Sequence, residues 1–411
     1  MKDSKYIYLD NAATTPMDPK VIEEVIKHFN ETYGNSSSLH SAGQKAGQTL
    51  LKSREIIASL INAHRDDIFF TSSGTEADNI AIFGVASKNK ERGNHIITTT
   101  VEHHAVENPY KQLEKKGFEV TFLPVDQFGL INLNDLNNAI KDKTILISIM
   151  FANNEIGTIE PVKEIGAIAK KNDVIFHTDA VQAFGKVPID VIDMNIDLLS
   201  ASAHKLYGPK GVGMLYIRGK GARKGWGKYI EPIMFGGGHE REMRPSTVNV
   251  PGIAGFAKAV ELAKEELEKE AARQTKLRNK IIKWVIDNIE DSFLNGHPTQ
   301  RLPNNVNLGF KYIEGESIVL DLDMEGIATS TGSACSSQSL EPSHVLTAIG
   351  LKPEEAHGSL RVTLGRFTTE KEVDYFLEKL PGVIDRLRKM SPLKKGVKYM
   401  FDKSSDTEHH H

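Results

Sequence analysis

The chain has 411 residues, 39% hydrophobic and 26% charged, an ordinary globular composition with room for more than one domain of ~150 residues. Lys plus Arg number 51 and Asp plus Glu 54, a formal charge of −3, so no basic excess points to nucleic acid as a partner. Cys335 is the one cysteine, which excludes an intrachain disulfide framework and a four-cysteine metal or iron–sulfur site within one chain.

No apolar run reaches the ~18 residues of a membrane span, and the polar, charged stretch 1–10 lacks the apolar centre of a signal peptide. A cytoplasmic protein is the expectation. The closing Glu408-His409-His410-His411 resembles a purification-tag remnant.

Residues 65–220 alternate short apolar runs with helix-like stretches. Segments 67–70, 95–100, 120–125, 144–150 and 174–179 predict strands, and 75–88, 105–116 and 162–171 predict helices. That alternation predicts an α/β domain with a mostly parallel sheet. Residues 253–289 predict a long, charged helix leading into a second unit. Short apolar runs at 306–310, 318–322 and 359–364, with a helix at 370–390, predict a smaller α+β domain. The expected division is 16–260 for the large domain, 1–15 with 261–391 for the small one, and 392–411 for a tail.

Open α/β sheets bind ligands beyond the carboxyl ends of their strands, so chemistry is sought there. Thr71-Ser72-Ser73-Gly74-Thr75-Glu76 follows the first strand and opens a helix. Small residues at a helix N-terminus suit a phosphate, and equally suit a plain N-cap. The Lys and following hydroxyl of a Walker loop are missing. Glu102-His103-His104 follows the second strand. A His there can stack on a planar ligand, shuttle protons or do nothing. No Cys or carboxylate cluster at ligand spacing supports a metal, and none is expected. Asn153-Asn154-Glu155-Ile156-Gly157 is a turn or a hydrogen-bonding site. Asp179-Ala180-Val181-Gln182 places a carboxylate at a strand end, where it can hold a cationic ring nitrogen or cap a helix. Ser202-Ala203-His204-Lys205 ends another apolar run with an amine suited to Schiff-base chemistry, or with a solvated loop lysine. Each signal is weak alone. Together they offer an anion cup, a stacking ring, a carboxylate and an amine, the set that pyridoxal phosphate requires.

At this point the chain resembles the NifS/IscS-type cysteine desulfurases, a class V branch of the fold-type I pyridoxal phosphate enzymes. The resemblance runs from Tyr8-Leu9-Asp10-Asn11-Ala12-Ala13-Thr14-Thr15 to Leu364-Gly365-Arg366-Phe367-Thr368. Gly236-Gly237-Gly238-His239-Glu240 and Gly332-Ser333-Ala334-Cys335 complete the motifs above. It implies the fold-type I architecture, with a large cofactor-binding domain and a smaller α+β domain. It also implies a role for each matching residue. Lys205 would form the Schiff base, His103 would stack on the ring and move protons, and Asp179 would pair with the ring nitrogen. Gln182 and Asn154 would contact the ring hydroxyl. Gly74, Thr75, Ser202 and His204 would hold the phosphate. Thr247 would reach the phosphate of the neighbouring subunit's cofactor, which implies a homodimer. Arg361, with Asn154, would bind the substrate carboxylate. Two positions depart from the family pattern. Ser36 stands where Pro is usual, and Ser246 where Gly is usual, so both loops are expected to differ locally.

Cys335 sits among small, polar, loop-forming residues, which predicts an exposed, mobile thiol rather than a buried one. The resemblance makes it the acceptor that takes sulfur from L-cysteine as a persulfide, leaving L-alanine. The sulfur would then pass to an acceptor protein such as an iron–sulfur scaffold. A selenocysteine lyase or aminotransferase of the same fold would not need Cys335. A sulfur-delivery scaffold would act mainly through partner binding, with the polar tail as a candidate docking segment.

Overall fold

A computed structural model describes residues 6–219, 225–332 and 342–392. Cys335 and the tail beyond 392 lie outside the described residues. In chain order, β1 (Ile7–Tyr8) precedes α1 (Pro19–Glu31) and α2 (Ser41–Leu60). Next come β2 (Ile68–Thr71), α3 (Gly74–Lys88), β3 (His95–Thr99), α4 (His104–Glu114) and β4 (Glu119–Leu123). They are followed by α5 (Leu133–Ala139), β5 (Thr144–Ser148), α6 (Val162–Lys171), β6 (Ile175–Asp179), β7 (Leu198–Ser202) and β8 (Gly213–Ile217).

These strands form one sheet in the order β2-β8-β7-β6-β5-β3-β4. Only β8 runs antiparallel to its neighbours β2 and β7. The expected mostly parallel sheet is therefore present. Its inner strands are buried along their length because both faces are covered, and the polar residues within them, such as His177, Ser148 and Ser200, bond one another. Successive residues go to opposite cores: Phe70, Ile97, Ile147, Phe176 and Leu199 pack on the side of α2, α6 and α7, while Phe69, Ile96, Leu146, Ile175 and Leu198 pack on the side of α3 and α4.

The chain then enters α7 (Val250–Asn288), a 39-residue helix. The Asn249 side chain accepts from the Gly252 N–H at 3.1 Å to start it, and Pro251 fits its first turn. Its first half, including Ile253, Phe256 and Val260, is buried in the core beside the large sheet. Its second half buries Leu277, Ile281 and Val285 in a separate core. That second core is built on β9 (Ser292–Leu294), β10 (Asn305–Phe310), α8 (Gly315–Met324), β11 (Ile327–Ala328), β12 (Ser359–Thr363) and α11 (Glu370–Met390), while α9 (His344–Ala348) and α10 (Pro353–His357) pack with Val101, Met150 and Ile156 in a smaller cluster. A three-stranded antiparallel sheet of order β12-β10-β9 lies at the centre of the second core, and β1 joins β11 in parallel. The apolar run 318–322 is helical, as part of α8. A short run of four apolar residues interrupted by Asp321 fits a strand or a buried helix turn equally well.

The two departures from the family pattern lie on neighbouring loops. The Ser37 N–H bonds the Asn35 side chain at 3.0 Å, and Ser37 Oγ meets His239 Nδ1 at 3.5 Å. Ser246 holds φ at +104°, a backbone state that glycine adopts freely and serine does not. The loop thus keeps a glycine-like conformation on a residue that resists it. Ser246→Gly is expected to stabilise the protein by about 1 kcal/mol, the strain relieved less the added unfolded-state entropy. A thermal melt should show a midpoint about 1–2 °C higher, and a lower midpoint would contradict the strain.

Candidate active site

The carboxyl ends of β2, β3, β5, β6 and β7 open onto one cavity of about 410 Å³. Lys205, Asp179 and His103 line it, with Arg361 reaching in from β12 of the second core. Gly74, Thr75, Asn154, Gln182, Ser202 and His204 also line it, so the structure gathers nearly every residue singled out in the sequence. Thr247 is exposed on the loop before α7 and does not line the cavity of its own chain. Gly332, three residues before Cys335, does line it.

The anion cup is the N-terminus of α3. Ser73 caps the helix by accepting from the Glu76 N–H at 3.1 Å, and Glu76 pairs with Arg244 at 2.9 Å. Gly74 is required by close approach: a Cβ there would come 2.7 Å from Val181 Cγ2. The cap reading and the anion-site reading are thus compatible, with Ser73 serving the helix while Gly74 and Thr75 face the cavity.

His103 is the N-cap of α4, its Nδ1 accepting from the Ala105 N–H at 3.1 Å. An amide can only donate, so the neutral ring carries its proton on Nε2. Burial, then the Lys205 cation, pushes this imidazole down to about 4, so it is neutral at physiological pH.

The two asparagines divide their work. Asn153 is buried and builds the turn: its Oδ1 accepts from the N–H groups of Glu155 and Ile156, and its Nδ2 donates to the Val101 carbonyl. Asn154 lines the cavity, while its backbone carbonyl accepts from Arg361 at 3.2 Å.

Asp179 ends β6, and one of its oxygens accepts from the Val181 N–H at 2.8 Å. Burial pushes its carboxyl up to about 6, against the Val181 hydrogen bond and the Lys205 cation. Beneath it lie two further buried acids. Burial, then the charge of Asp179, raises Asp78 well above the usual carboxylate range. Burial pushes Glu102 up to about 8. His177 lies beneath as well, bonded to Ser148 at 2.8 Å and Ser200 at 3.0 Å, and burial lowers it to about 3. A cation at Asp179 would reverse the burial effect on its carboxyl.

Lys205 lies in a 3-10 turn directly after β7. Its Nζ donates to the Ala13 carbonyl at 2.7 Å and to the Ala12 carbonyl, so residues of the N-terminal segment position the amine. His204 Nδ1 meets Thr14 Oγ1 at 3.1 Å on the same segment. Gln182 has a defined amide orientation. The Ala12 carbonyl can only accept, so the Gln182 atom 2.9 Å from it is Nε2, which leaves Oε1 toward Lys186 Nζ at 3.2 Å.

Arg361 is 2% exposed and pairs with Asp10 at 3.0 Å, while its Nε has no partner among the described residues. A buried guanidinium with an unused donor beside a cavity suits a carboxylate ligand. Glu155, quoted in the sequence only as part of a motif, is a further participant. Its carboxylate accepts from Ser343 Oγ, and Gly332 packs so tightly on it that a Cβ there would come 2.7 Å from Oε2. One buried side chain therefore holds both flanks of the stretch that contains Cys335.

An amine, a buried carboxylate, a neutral imidazole and a glycine-lined helix N-terminus around one cavity fit pyridoxal phosphate. The Lys205 cation is one of the causes that depress His103, so removing it should let the imidazole rise. In cofactor-free Lys205→Ala, histidine-labelled NMR is expected to move the His103 midpoint from about 4 toward its ordinary 6.5. An unchanged midpoint would mean that burial and the neighbouring His104 and His344 set it without Lys205.

The class-V aminotransferase family model matches residues 7–376. The "Cysteine desulfurase IscS" of Clostridium botulinum (strain Hall) is 54% identical over 392 residues, covering 95% of this chain and 97% of the relative. A solved "NIFS-LIKE PROTEIN" is 40% identical with a TM-score of 0.86, covering 93% of this chain and all of that one. A structure titled "SspA in complex with cysteine" is 37% identical with a TM-score of 0.77, covering 88% of this chain and all of that one. The chain belongs to the class-V aminotransferase family and, within it, to the pyridoxal phosphate-dependent cysteine desulfurases.

Proposed function

We propose that the cavity takes L-cysteine, releases L-alanine and leaves the substrate sulfur on Cys335 as a persulfide. The observation that carries this reading is the convergence of Lys205, Asp179, His103, Arg361 and Gly332 on one cavity. Chain connectivity limits Cys335 to about 11 Å of Gly332, Cα to Cα. The stoichiometry balances: the substrate C–S bond breaks, an S–S bond forms at Cys335, and the thiol hydrogen of Cys335 replaces sulfur on the carbon that becomes the alanine methyl.

Bound in this cavity, pyridoxal phosphate supplies a protonated ring that draws electrons from the substrate's α-carbon. Asp179 keeps the ring nitrogen protonated. Lys205 Nζ, held by the Ala12 and Ala13 carbonyls, is the amine that anchors the cofactor aldehyde and carries the α-proton. Gln182 Nε2 keeps one N–H for the ring oxygen, because Lys186 and Ala12 fix its other groups. His103 meets the ring as a neutral imidazole and donates from Nε2. Gly74, Thr75, Ser202 and His204 hold the phosphate, and Arg361 with Asn154 orients the substrate carboxylate. Cys335 attacks as the thiolate.

The division into lobes 16–260 and 1–15 plus 261–391 follows the two cores that α7 joins. Among the described residues no helix is long and apolar enough to cross a membrane, and we assign the protein to the cytoplasm. Persulfide sulfur would pass from Cys335 to an acceptor protein of iron–sulfur cluster assembly.

A homodimer accounts for an apolar face that nothing among the described residues covers. Ile22, Ile26 and Phe29 project from one side of α1, and Tyr33, Leu39 and Phe235 are also exposed, Leu39 at 92% and Phe235 at 89%. Phe235 precedes Gly236, which packs on Pro245, two residues before Thr247. Covering this face with a second copy would bring Thr247 toward the partner's cavity.

Two experiments test these assignments. With L-cysteine and a reductant, the wild type is expected to release sulfide and alanine, and Cys335→Ala to lose at least ~100-fold in rate. Wild-type turnover by Cys335→Ala would overturn the persulfide route. Ile26→Asp with Phe29→Asp is expected to halve the mass measured by light scattering, and a dimer that persists would place the interface elsewhere.

A further inference from the structure

Outside the cofactor-holding set, one side-chain cluster has a chemistry that the desulfurase reaction does not use. His104 begins α4, Glu107 follows one turn later, and His344 begins α9. One ligand-type atom from each lies within 4.8 Å of the others. All three side chains are half-buried, and the two imidazole rings lie 5.0 Å apart, tilted by 33°.

The surroundings orient these groups as a metal site does. His344 Nε2 meets the Glu102 carbonyl at 2.9 Å. A carbonyl can only accept, so Nε2 carries the proton and Nδ1 keeps the lone pair. A backbone carbonyl holding the far N–H of an imidazole is the usual outer support of a histidine ligand. Glu107 is oriented from both sides: Lys111 takes Oε1, and Oε2 meets His104 Nδ1 at 2.9 Å. Burial raises the Glu107 carboxyl, but the hydrogen bonds from Lys111 and His104 outweigh it and hold the group ionised. Burial lowers His344, which keeps its imidazole neutral. Two imidazoles and a carboxylate form a donor set for Zn²⁺, three protein ligands with a fourth position open.

We propose that His104, Glu107 and His344 bind one zinc-class divalent cation at the rim of the substrate cavity, and that its occupancy slows substrate entry. His104 and His344 both line that cavity, so a cation between them stands on its wall. This departs from the sequence-based expectation of no metal, because His344 lies far along the chain and only the fold brings it to His104.

The test uses the full-length holoenzyme in a background carrying Cys335→Ser and Ala at 409, 410 and 411, so that neither the thiol nor the terminal histidines compete for metal. Titration with Co²⁺ is expected to yield one equivalent with the visible bands of a low-coordinate site, displaced by Zn²⁺. Loss of an outer support alone costs ~10–100-fold in metal affinity, so His104→Ala or His344→Ala should weaken binding by at least ~100-fold. Circular dichroism and cofactor absorbance would establish that these variants remain folded. L-alanine has no thiol to strip the metal, and the rate at which it perturbs cofactor absorbance is expected to fall at least ~10-fold on Zn²⁺ loading. The His104→Ala/His344→Ala variant should show no such change. Stoichiometric Co²⁺ binding that survives in the double variant, or no saturable binding in the parent, would overturn the site. An unchanged alanine rate in the loaded parent would overturn its effect on entry.

Discussion

A carboxylate held away from water is the constraint on which this site is organised. Asp179 lies at the end of a strand covered on both faces, and burial works against its charge. Asp78 and Glu102 lie beneath it, and burial raises their carboxyls as well, so little negative charge collects there. Lys205 is a cation acting on Asp179 from the cavity, and a protonated ring nitrogen would add a second. The α3 N-terminus, Lys205 and His103 all line the same cavity. Charge burial, which costs stability in an empty protein, becomes binding energy for the cofactor.

The second organising feature is that the cavity is shared between two cores. Arg361 comes from β12 in the small sheet, and its partner Asp10 belongs to the segment that also supplies the carbonyls of Ala12 and Ala13 to Lys205. The N-terminal segment therefore touches both the amine and the guanidinium. Glu155 adds a third connection, from the loop after β5 to Gly332 and Ser343. Substrate recognition and cofactor attachment thus depend on one set of loops.

Much of this arrangement was legible in the chain because strands buried on both faces are largely apolar runs, and the polar residue that ends each run stands out. His103, Asp179 and Lys205 were found that way. Other features carry no local signal. Asn153 and Asn154 are the same residue type side by side, and only the turn geometry makes one a scaffold and the other a cavity wall. Asp78 sits on a helix where a surface aspartate would look identical, yet it is 1% exposed. The pairing of Arg361 with Asp10, like that of His104 with His344, joins distant parts of the chain and is decided by topology. The run 318–322 is ambiguous for a different reason: four apolar residues around Asp321 do not distinguish a strand from a helix turn.

Helix α7 has a consequence for divisibility. At ~1.5 Å per residue it is about 58 Å long, and it forms a wall of both cores. A cut near its middle would strip Phe256 and Val260 of their continuation on one side, and leave Leu277 and Ile281 on a severed half-helix on the other. Neither lobe can be excised, swapped or inherited without the other. The unit to exchange in engineering is therefore the whole two-core body.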